Sequence, residues 1–489
     1  MRPLPADPCP YPCQTPSAPA AAHCGRRLRV VTLGCKVNQY ETQYVRQALL
    51  EAGFRDAAPG EEADLCIVNT CTVTLEGDYK SRKLIRRLAR QNPHAHIVVM
   101  GCYAARAPEE VARLPGVVEV WTDKRDLPRR LQRFGVREAP SGIRMFSGLH
   151  RAFVKIQDGC VLTCTYCIVP KVRPALWSRP AHEVLDEVRQ LLASGYREIV
   201  LTGIHLGFYG RHLAAETGSA CEGDAGALPV ASLARGSGPV AAGPQASTPV
   251  SSDGLVGLLR RLVALEGHFR IRLSSLDATE VSDDLLDLMA EHPDRLCPHL
   301  HLPLQSGSDA VLRRMRRRGT AEEFIDRCRQ IQKRLDQPAL TTDVIVGFPG
   351  ESDADFQATC RAVEAAGLCR VHVFRFSPRP GTPAAQMLHQ LPPEVKRRRA
   401  ECLQTLSRRL AARFAQSLCG RQLEVLVEGR SPHEPQRFVG TAERYVKVEF
   451  SADRQPEGLV RVSVDRQASG LLQGRAHLRH VLPSGPDSL

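Results

Sequence analysis

No run of about 18 consecutive apolar residues occurs in the 489-residue chain, so a membrane-spanning helix is not predicted and no membrane partner is expected. The first 26 residues lack the apolar core of a secretory signal. Rich in Pro and Ala, they predict a disordered extension, and its Cys9, Cys13 and Cys24 are given no role. An even cysteine count is also missing. Seventeen cysteines without a secretory signal argue against a disulfide framework and for metal or redox chemistry in the cytoplasm. Aromatic residues are few, at 5%. Acid is in deficit, 53 residues against 66 basic ones, and the net charge of +13 favours a polyanionic partner such as nucleic acid.

The patterning restarts twice. From residue 27 to about 140, "LRVVTL", "DLCIVN" and "HIVVM" alternate with helical stretches at Glu41–Ala52, Lys80–Arg90 and from Pro108. This rhythm predicts an open parallel α/β sheet. Over 146–412 six strand candidates follow: "AFVKIQ", "EIVLTG", "RIRLSS", "HLHLPL", "TTDVIVG" and "RVHVFRFS". Helical patterns such as Ala181–Ala193 and Ser308–Met315 separate most of them, which predicts a partial (β/α)6 barrel. Residues 211–253, dominated by Gly, Ala, Ser and Pro, read as a flexible insertion. After a basic helix over Pro393–Leu418, "LEVLVEG", "RYVKVEF" and "GLVRVSV" predict a small antiparallel β-barrel over 414–484.

The sharpest motif is "GCVLTCTYCIVP", with Cys160, Cys164 and Cys167. Three thiolates on one tight loop can hold three irons of a cubane cluster and leave the fourth open. Zinc would ask for a fourth ligand, and no Cys or His stands at that spacing. In the first domain Cys35, Cys71 and Cys102 each lie just past the carboxyl end of a predicted strand. In an open parallel sheet those ends share one crevice. Convergence there suits a second cluster; simple burial is the other reading, and it is the one expected for Cys66, inside its strand. Burial is likewise expected for Cys297, Cys328, Cys360, Cys369 and Cys402.

The Cys160–Cys167 run resembles the radical S-adenosylmethionine superfamily. The two triplets together resemble its methylthiotransferase family, a likeness that extends over residues 27–484 outside the insertion. "NTCTVT", "HLPLQSGSD", "DVIVGFPGE" and "FRFSPRPGTPA" carry it further. The resemblance implies a cluster domain over 27–140, a radical core over 146–412 and a TRAM-like RNA-binding barrel. It implies two [4Fe-4S] clusters, ligated by Cys35, Cys71, Cys102 and by Cys160, Cys164, Cys167. One S-adenosylmethionine would supply a methyl group to a sulfur, and another the 5′-deoxyadenosyl radical that activates C2 of an adenine. "TLGCKVNQYET" and "LTGIHLGFYG" resemble the branch that modifies N6-threonylcarbamoyladenosine at position 37 of tRNAs reading ANN codons. Sister branches acting on isopentenyladenosine or on a ribosomal-protein aspartate are the alternatives, with "GCQMN" and "GCPKN" types of sequence at that point. A non-catalytic iron–sulfur RNA-binding protein is the rival of another class, and a zinc-binding structural protein a third.

The resemblance also places Thr202 and Gly203 at the methionine amino group of the cofactor. Ser274, Ser275, Gln305 and Ser306 end barrel strands, at the face where such barrels bind ligands, with N-cap or loop roles as the other reading. Gly347 could let the backbone approach the adenine, or simply make a turn. Arg173, Ser178 and Arg179 match a family-like "R-G-x-x-x-S-R" stretch in which Pro174 replaces the Gly. Gly319 stands where the family more often has an aromatic. The basic runs "KSRKLIRRLAR", "LRRMRRRG" and "VKRRRAECLQTLSRRL" are candidate contacts for a tRNA anticodon stem-loop. An electron donor such as flavodoxin or ferredoxin, and a sulfur source, are the further partners implied.

Overall fold

The computed structural model describes residues 25–146, 148–211, 254–468 and 470–477. The 211–253 insertion, apart from Arg211, and Cys9, Cys13 and Cys24 lie outside the described residues. Among those described, no helix is long and apolar enough to cross a membrane.

The first sheet is parallel throughout, with strands in the order Arg55–Asp56, Arg27–Thr32, Leu65–Thr70, His96–Gly101, Val117–Trp121. Its central strand, "LCIVNT", is buried at every position, as expected of a strand covered on both faces. Alternation sorts its side chains. Leu65 and Ile67 join Val45, Leu49 and Trp121 on one face, while Cys66 and Val68 join Ile85, Leu88 and Val99 on the other. Cys66 is thus core. The last strand and the two-residue edge strand escape the sequence pattern. Both are short, and neither is followed by a long helix.

The central region holds six parallel strands in chain order. Ala152–Lys155, Glu198–Thr202 and Arg270–Leu273 form one set, His299–His301, Ala339–Val346 and Arg370–Arg375 the other. Isolated parallel bridges Ile271–Leu296 and Ser275–His301 join the sets into one curved row. Helices Ala181–Ala193, Leu255–Val263, Asp283–Glu291, Ala321–Arg334, Asp353–Ala365 and Pro393–Ser417 follow successive strands. The partial (β/α)6 barrel is as expected.

The last five strands close into a barrel, where the sequence pattern suggested three. Lys447–Ser451 and Leu471–His477 pair in parallel, so the barrel is not wholly antiparallel. Its turn at Ala442–Tyr445 docks at the lower, N-terminal end of the central strands. Arg270 donates to Thr441 O at 2.8 Å, and Arg272 to Glu443 O at 2.8 Å. The Arg272 guanidinium lies 4.9 Å from the Tyr445 ring centroid, and that ring lies 4.9 Å from His299. Glu198, fully buried, pairs with Arg270, Arg272 and Arg151, and Glu424 on Arg270 and Glu428 on Arg151 bring three carboxylates to the three guanidinium groups at this closed end.

Candidate active site

Three turns at the upper edge of the first sheet bring Cys35, Cys71 and Cys102 together. Cys35 caps the helix Lys36–Glu51, which begins five residues before the sequence pattern suggests. Gly34 has φ +113°, and a Cβ there would stand 3.1 Å from Cys71 Cβ. Gly101, φ +99°, precedes Cys102, and a Cβ there would meet Asn69 Oδ1 at 2.3 Å. Only glycine permits both approaches. The Asn38 amide donates to Leu33 O (2.8 Å) and Thr70 O (3.1 Å), and Thr70 Oγ1 donates to Met100 O (2.6 Å). Burial pushes the Cys71 thiol up to about 11, and the nearby Cys102 and Cys35 sulfurs add to this.

The second set sits on one loop. Gly159 has φ +80°, and a Cβ there would lie 1.9 Å from Ala175 O. Cys160 N donates to Arg173 O (3.2 Å), and Cys167 N to Cys164 O (3.1 Å). Thr165 pins the loop: its N–H donates to Met315 O and its hydroxyl to Arg314 O, both at 2.9 Å. Burial pushes the Cys167 thiol up to about 12, with Cys164 and Cys160 contributing. Buried thiols that crowd one another favour a shared cationic ligand. Among the described residues no group of three or more His, Cys, Asp or Glu side chains is arranged to hold a single metal ion. Each sulfur set offers three thiols, the number that a cubane cluster with one open iron takes from a protein.

Other candidate residues ring the barrel mouth. Thr202 is buried and its carbonyl accepts from Ile156 N (2.9 Å). A Cβ at Gly203 would stand 2.9 Å from Gln157 Oε1. Ser274 Oγ is buried without a partner, a polar atom left for a ligand, while Ser275 is exposed. Gln305 takes φ +71°, a left-handed conformation that costs a non-glycine residue about 1 kcal/mol or more. Ser306 is fully buried, and its hydroxyl meets Thr359 Oγ1 (3.3 Å) and accepts from Ser308 N (3.2 Å), a bracing role in the loop; the N-cap of the helix Asp309–Met315 is Ser308. At Gly347, φ +74°, the Cβ position is 2.4 Å from Lys396 Cγ, so a lysine stem occupies that approach.

Three residues at the core cysteines carried no signal of their own. His205 Nε2 lies 2.7 Å from Glu280 Oε2. Burial alone would lower this imidazole, but the Cys160 sulfur and Glu280 raise it to about 9. Arg317 bonds Asp277 (2.8 Å) and approaches Cys164. Within "LRRMRRRG", then, Arg317 and Arg318 are bound to Asp277 and Glu280. Arg399, in the third basic run, is buried on Glu351. Lys80, Lys83, Arg86, Arg87 and Arg90 of the first run are exposed, as are Arg397, Arg398, Arg408 and Arg409. Cys297, Cys328 and Cys369 are buried as expected, Cys360 only partly so, but Cys402 is exposed, on the outer face of the Pro393–Ser417 helix.

The two cysteine sets meet at the seam between sheet and barrel. Cys102 packs against Ile168 and Val172, just beyond Cys167. Segment "KVNQYET" is buried at this seam for most of its length. Arg173 bonds Asn38 and Glu41; Arg179 bonds Tyr40 and Glu187. Ser178 Oγ accepts from Gly210 N (3.0 Å). Farther round, Arg379 from the last barrel loop bonds Thr72 (2.8 Å) and Asp78 (2.7 Å), beside Cys71. Lys36 has no hydrogen-bond or ion-pair partner among the described residues. Its charge is felt by His299 and His372, on the barrel strands.

The Radical SAM superfamily matches residues 154–363, and the family described as Uncharacterized protein family UPF0004 matches residues 27–123. The chain is 36% identical over 454 residues to a threonylcarbamoyladenosine tRNA methylthiotransferase of Bacillus subtilis, covering 88% of this chain and 92% of that one. It is 34% identical over 450 residues to a protein of the same name from Thermotoga maritima, covering 88% and 93%. It is also 34% identical over 463 residues to a tRNA-2-methylthio-N(6)-dimethylallyladenosine synthase of Corynebacterium urealyticum, covering 90% and 80%.

Proposed function

The chain belongs to the methylthiotransferase family of radical S-adenosylmethionine enzymes, and from that premise we propose its substrate and its sites. It is a tRNA methylthiotransferase that uses S-adenosylmethionine and a [4Fe-4S] cluster. The proposed substrate is N6-threonylcarbamoyladenosine at position 37 of tRNAs reading ANN codons, with the methylthio group added at C2. In our reading Cys160, Cys164 and Cys167 hold the cluster that binds S-adenosylmethionine. Cys35, Cys71 and Cys102 hold a second [4Fe-4S] cluster, where sulfur is carried.

The observation that carries this reading is the adjacency of the two triplets, with Cys102 packed on Ile168 and Val172. When bound, the cluster and S-adenosylmethionine supply one-electron cleavage of the sulfonium bond, which an aromatic C–H without an acid–base handle requires. The protein's own part is to hold and orient. Thr202, Gly203, Ser274, Ser275 and Gln305 offer polar and main-chain groups to S-adenosylmethionine at the barrel mouth, with Gly347 nearby. Ser306, its hydroxyl already held by Thr359 and Ser308, is better read as a loop brace. Half-buried Tyr166 and Arg317 stand beside Cys164. Lys36 favours threonylcarbamoyladenosine over isopentenyladenosine: an unpaired cation at the chamber suits a carboxylate and gains nothing from a hydrocarbon.

The proposed domains are 27–140, 146–412 and a TRAM-like RNA-binding barrel over 414–484. The anticodon stem-loop would meet this barrel and the exposed basic helix faces. The reading also calls for an electron donor of the flavodoxin or ferredoxin kind, a sulfur source and a cytoplasmic setting. Mass spectrometry of tRNA nucleosides from cells with and without the gene tests it. Methylthio-threonylcarbamoyladenosine should disappear with the gene; unchanged amounts would sink the substrate assignment.

A further inference from the structure

Arg173 touches both cysteine sets. Its carbonyl accepts from Cys160 N (3.2 Å), and its Nε donates to Cys102 Sγ (3.5 Å). The rest of the guanidinium is fully engaged: Nη1 with Glu41 and Asp158 at 2.8 Å, Nη2 with Asn38 and Glu41 at 2.9 Å. Lys155 bonds the same two carboxylates, at 2.8 and 2.5 Å. Lys124 Nζ stands 3.9 Å from Cys102 Sγ and 4.0 Å from Glu41. Three cations thus face two carboxylates, all with side chains at most 16% exposed. A buried group of this kind is costly unless its charges match. The surplus positive charge lies where the Cys102 sulfur is, and a sulfur carrying negative charge as a cluster ligand balances it.

We propose that Arg173 is a positioning residue for the N-terminal iron–sulfur site. It donates an N–H to the Cys102 sulfur, raises that site's reduction potential, and fixes it against the Cys160 loop. The inference rests on the two-cluster reading above. Hydrogen bonds and positive charge at a ligating sulfur stabilise the reduced, more negative cluster, so they raise its potential. Lys124 acts in the same direction through charge. Arg179 provides the contrast: it bonds Tyr40 and Glu187 at the same seam and touches no sulfur.

The test uses the full chain with Cys160, Cys164 and Cys167 all changed to Ala, so that only the N-terminal site can hold iron. After anaerobic reconstitution, iron and sulfide are quantified and the potential is read by EPR-monitored titration. Arg173→Lys, which keeps the charge but cannot make the whole fork of bonds, should shift the potential to more negative values with iron retained. Lys124→Met should shift it the same way, and it decides the matter if Arg173→Lys does not fold. Arg179→Lys should lower the melting temperature without moving the potential. A parent variant that binds no iron would bring down the two-cluster reading, and this inference with it. Full iron with an unmoved potential in both Arg173→Lys and Lys124→Met would overturn this inference alone.

Discussion

The two cysteine sets reach similar ends by opposite means. Cys160, Cys164 and Cys167 fall within eight residues on a loop braced by Thr165 and Gly159. Cys35, Cys71 and Cys102 are gathered from three strand ends and depend on the whole parallel sheet for their proximity. A local site survives small shifts of its neighbours; an assembled one inherits every error in its scaffold. The difference also marks which site the sequence could reveal by spacing alone.

The largest effects separate the roles. Cys164→Ala should abolish formation of 5′-deoxyadenosine, measured by liquid chromatography after reduction. Cys35→Ala should leave that cleavage largely intact and stop methylthio product. Normal product from Cys35→Ala would erase the distinction between the sets.

Next comes the dependence on scaffold. Gly101→Ala forces a Cβ into Asn69 and Thr70 at positive φ, and should cost about 3 kcal/mol together with the N-terminal iron. Gly159→Ala should instead lose the core iron, because its clash is with Ala175 on the cysteine loop's own support. Iron counts in the two variants, read beside melting temperatures, check this; loss of the same iron from both would refute it.

The seam between the sets offers a comparison of two buried carboxylates. Burial alone would raise the Glu41 carboxyl, but Arg173, Lys155 and Lys124 outweigh it and hold it at about 2. Its stabilisation is therefore present above the unfolded value near 4.5 and is lost as pH falls toward 2. Glu41→Gln should destabilise the apo protein by about 3 kcal/mol at pH 7 and weaken the fall in stability over that window. Glu187 is the reverse case. Burial raises its carboxyl despite Arg179, so its charged form opposes folding and stability rises as pH falls through its titration. Glu187→Gln should accordingly cost far less at pH 7 than Glu41→Gln. Equal losses in thermal melts would show that the seam does not distinguish them. The smallest effect belongs to Lys36→Gln, which should raise KM for the threonylcarbamoyl substrate roughly tenfold, the worth of one charged contact, and leave kcat nearly unchanged.

Much of this was legible in the sequence because it is periodic or local. Strand alternation, the Ala181–Ala193 helix and the C-x3-C-x2-C spacing need no tertiary information. What escaped depends on partners far along the chain. Arg317 and Arg399 stand in basic runs that look uniformly solvated, yet each is claimed by a distant carboxylate. The strand Phe438–Ala442 is short and carries Gly440, which a sequence pattern reads as turn, but Gly440 is needed where a Cβ would strike Leu426 O at 2.2 Å. "KVNQYET" resembles a substrate signature, whereas its Asn38, Tyr40 and Glu41 fasten the first sheet to the central strands, and Lys36 is left without a partner among the described residues.

The docking of Tyr445 and its neighbours beneath the central strands has one more consequence. With the lower end stopped by Arg270, Arg272 and the Ala442–Tyr445 turn, the C-terminal barrel is a floor beneath the central strands, and the Cys160–Cys167 loop stands at the other end of them. Under the proposed function, an RNA gripped by that barrel would have to reach from floor to rim, so the length of the strands would set how far the target nucleoside lies from the grip.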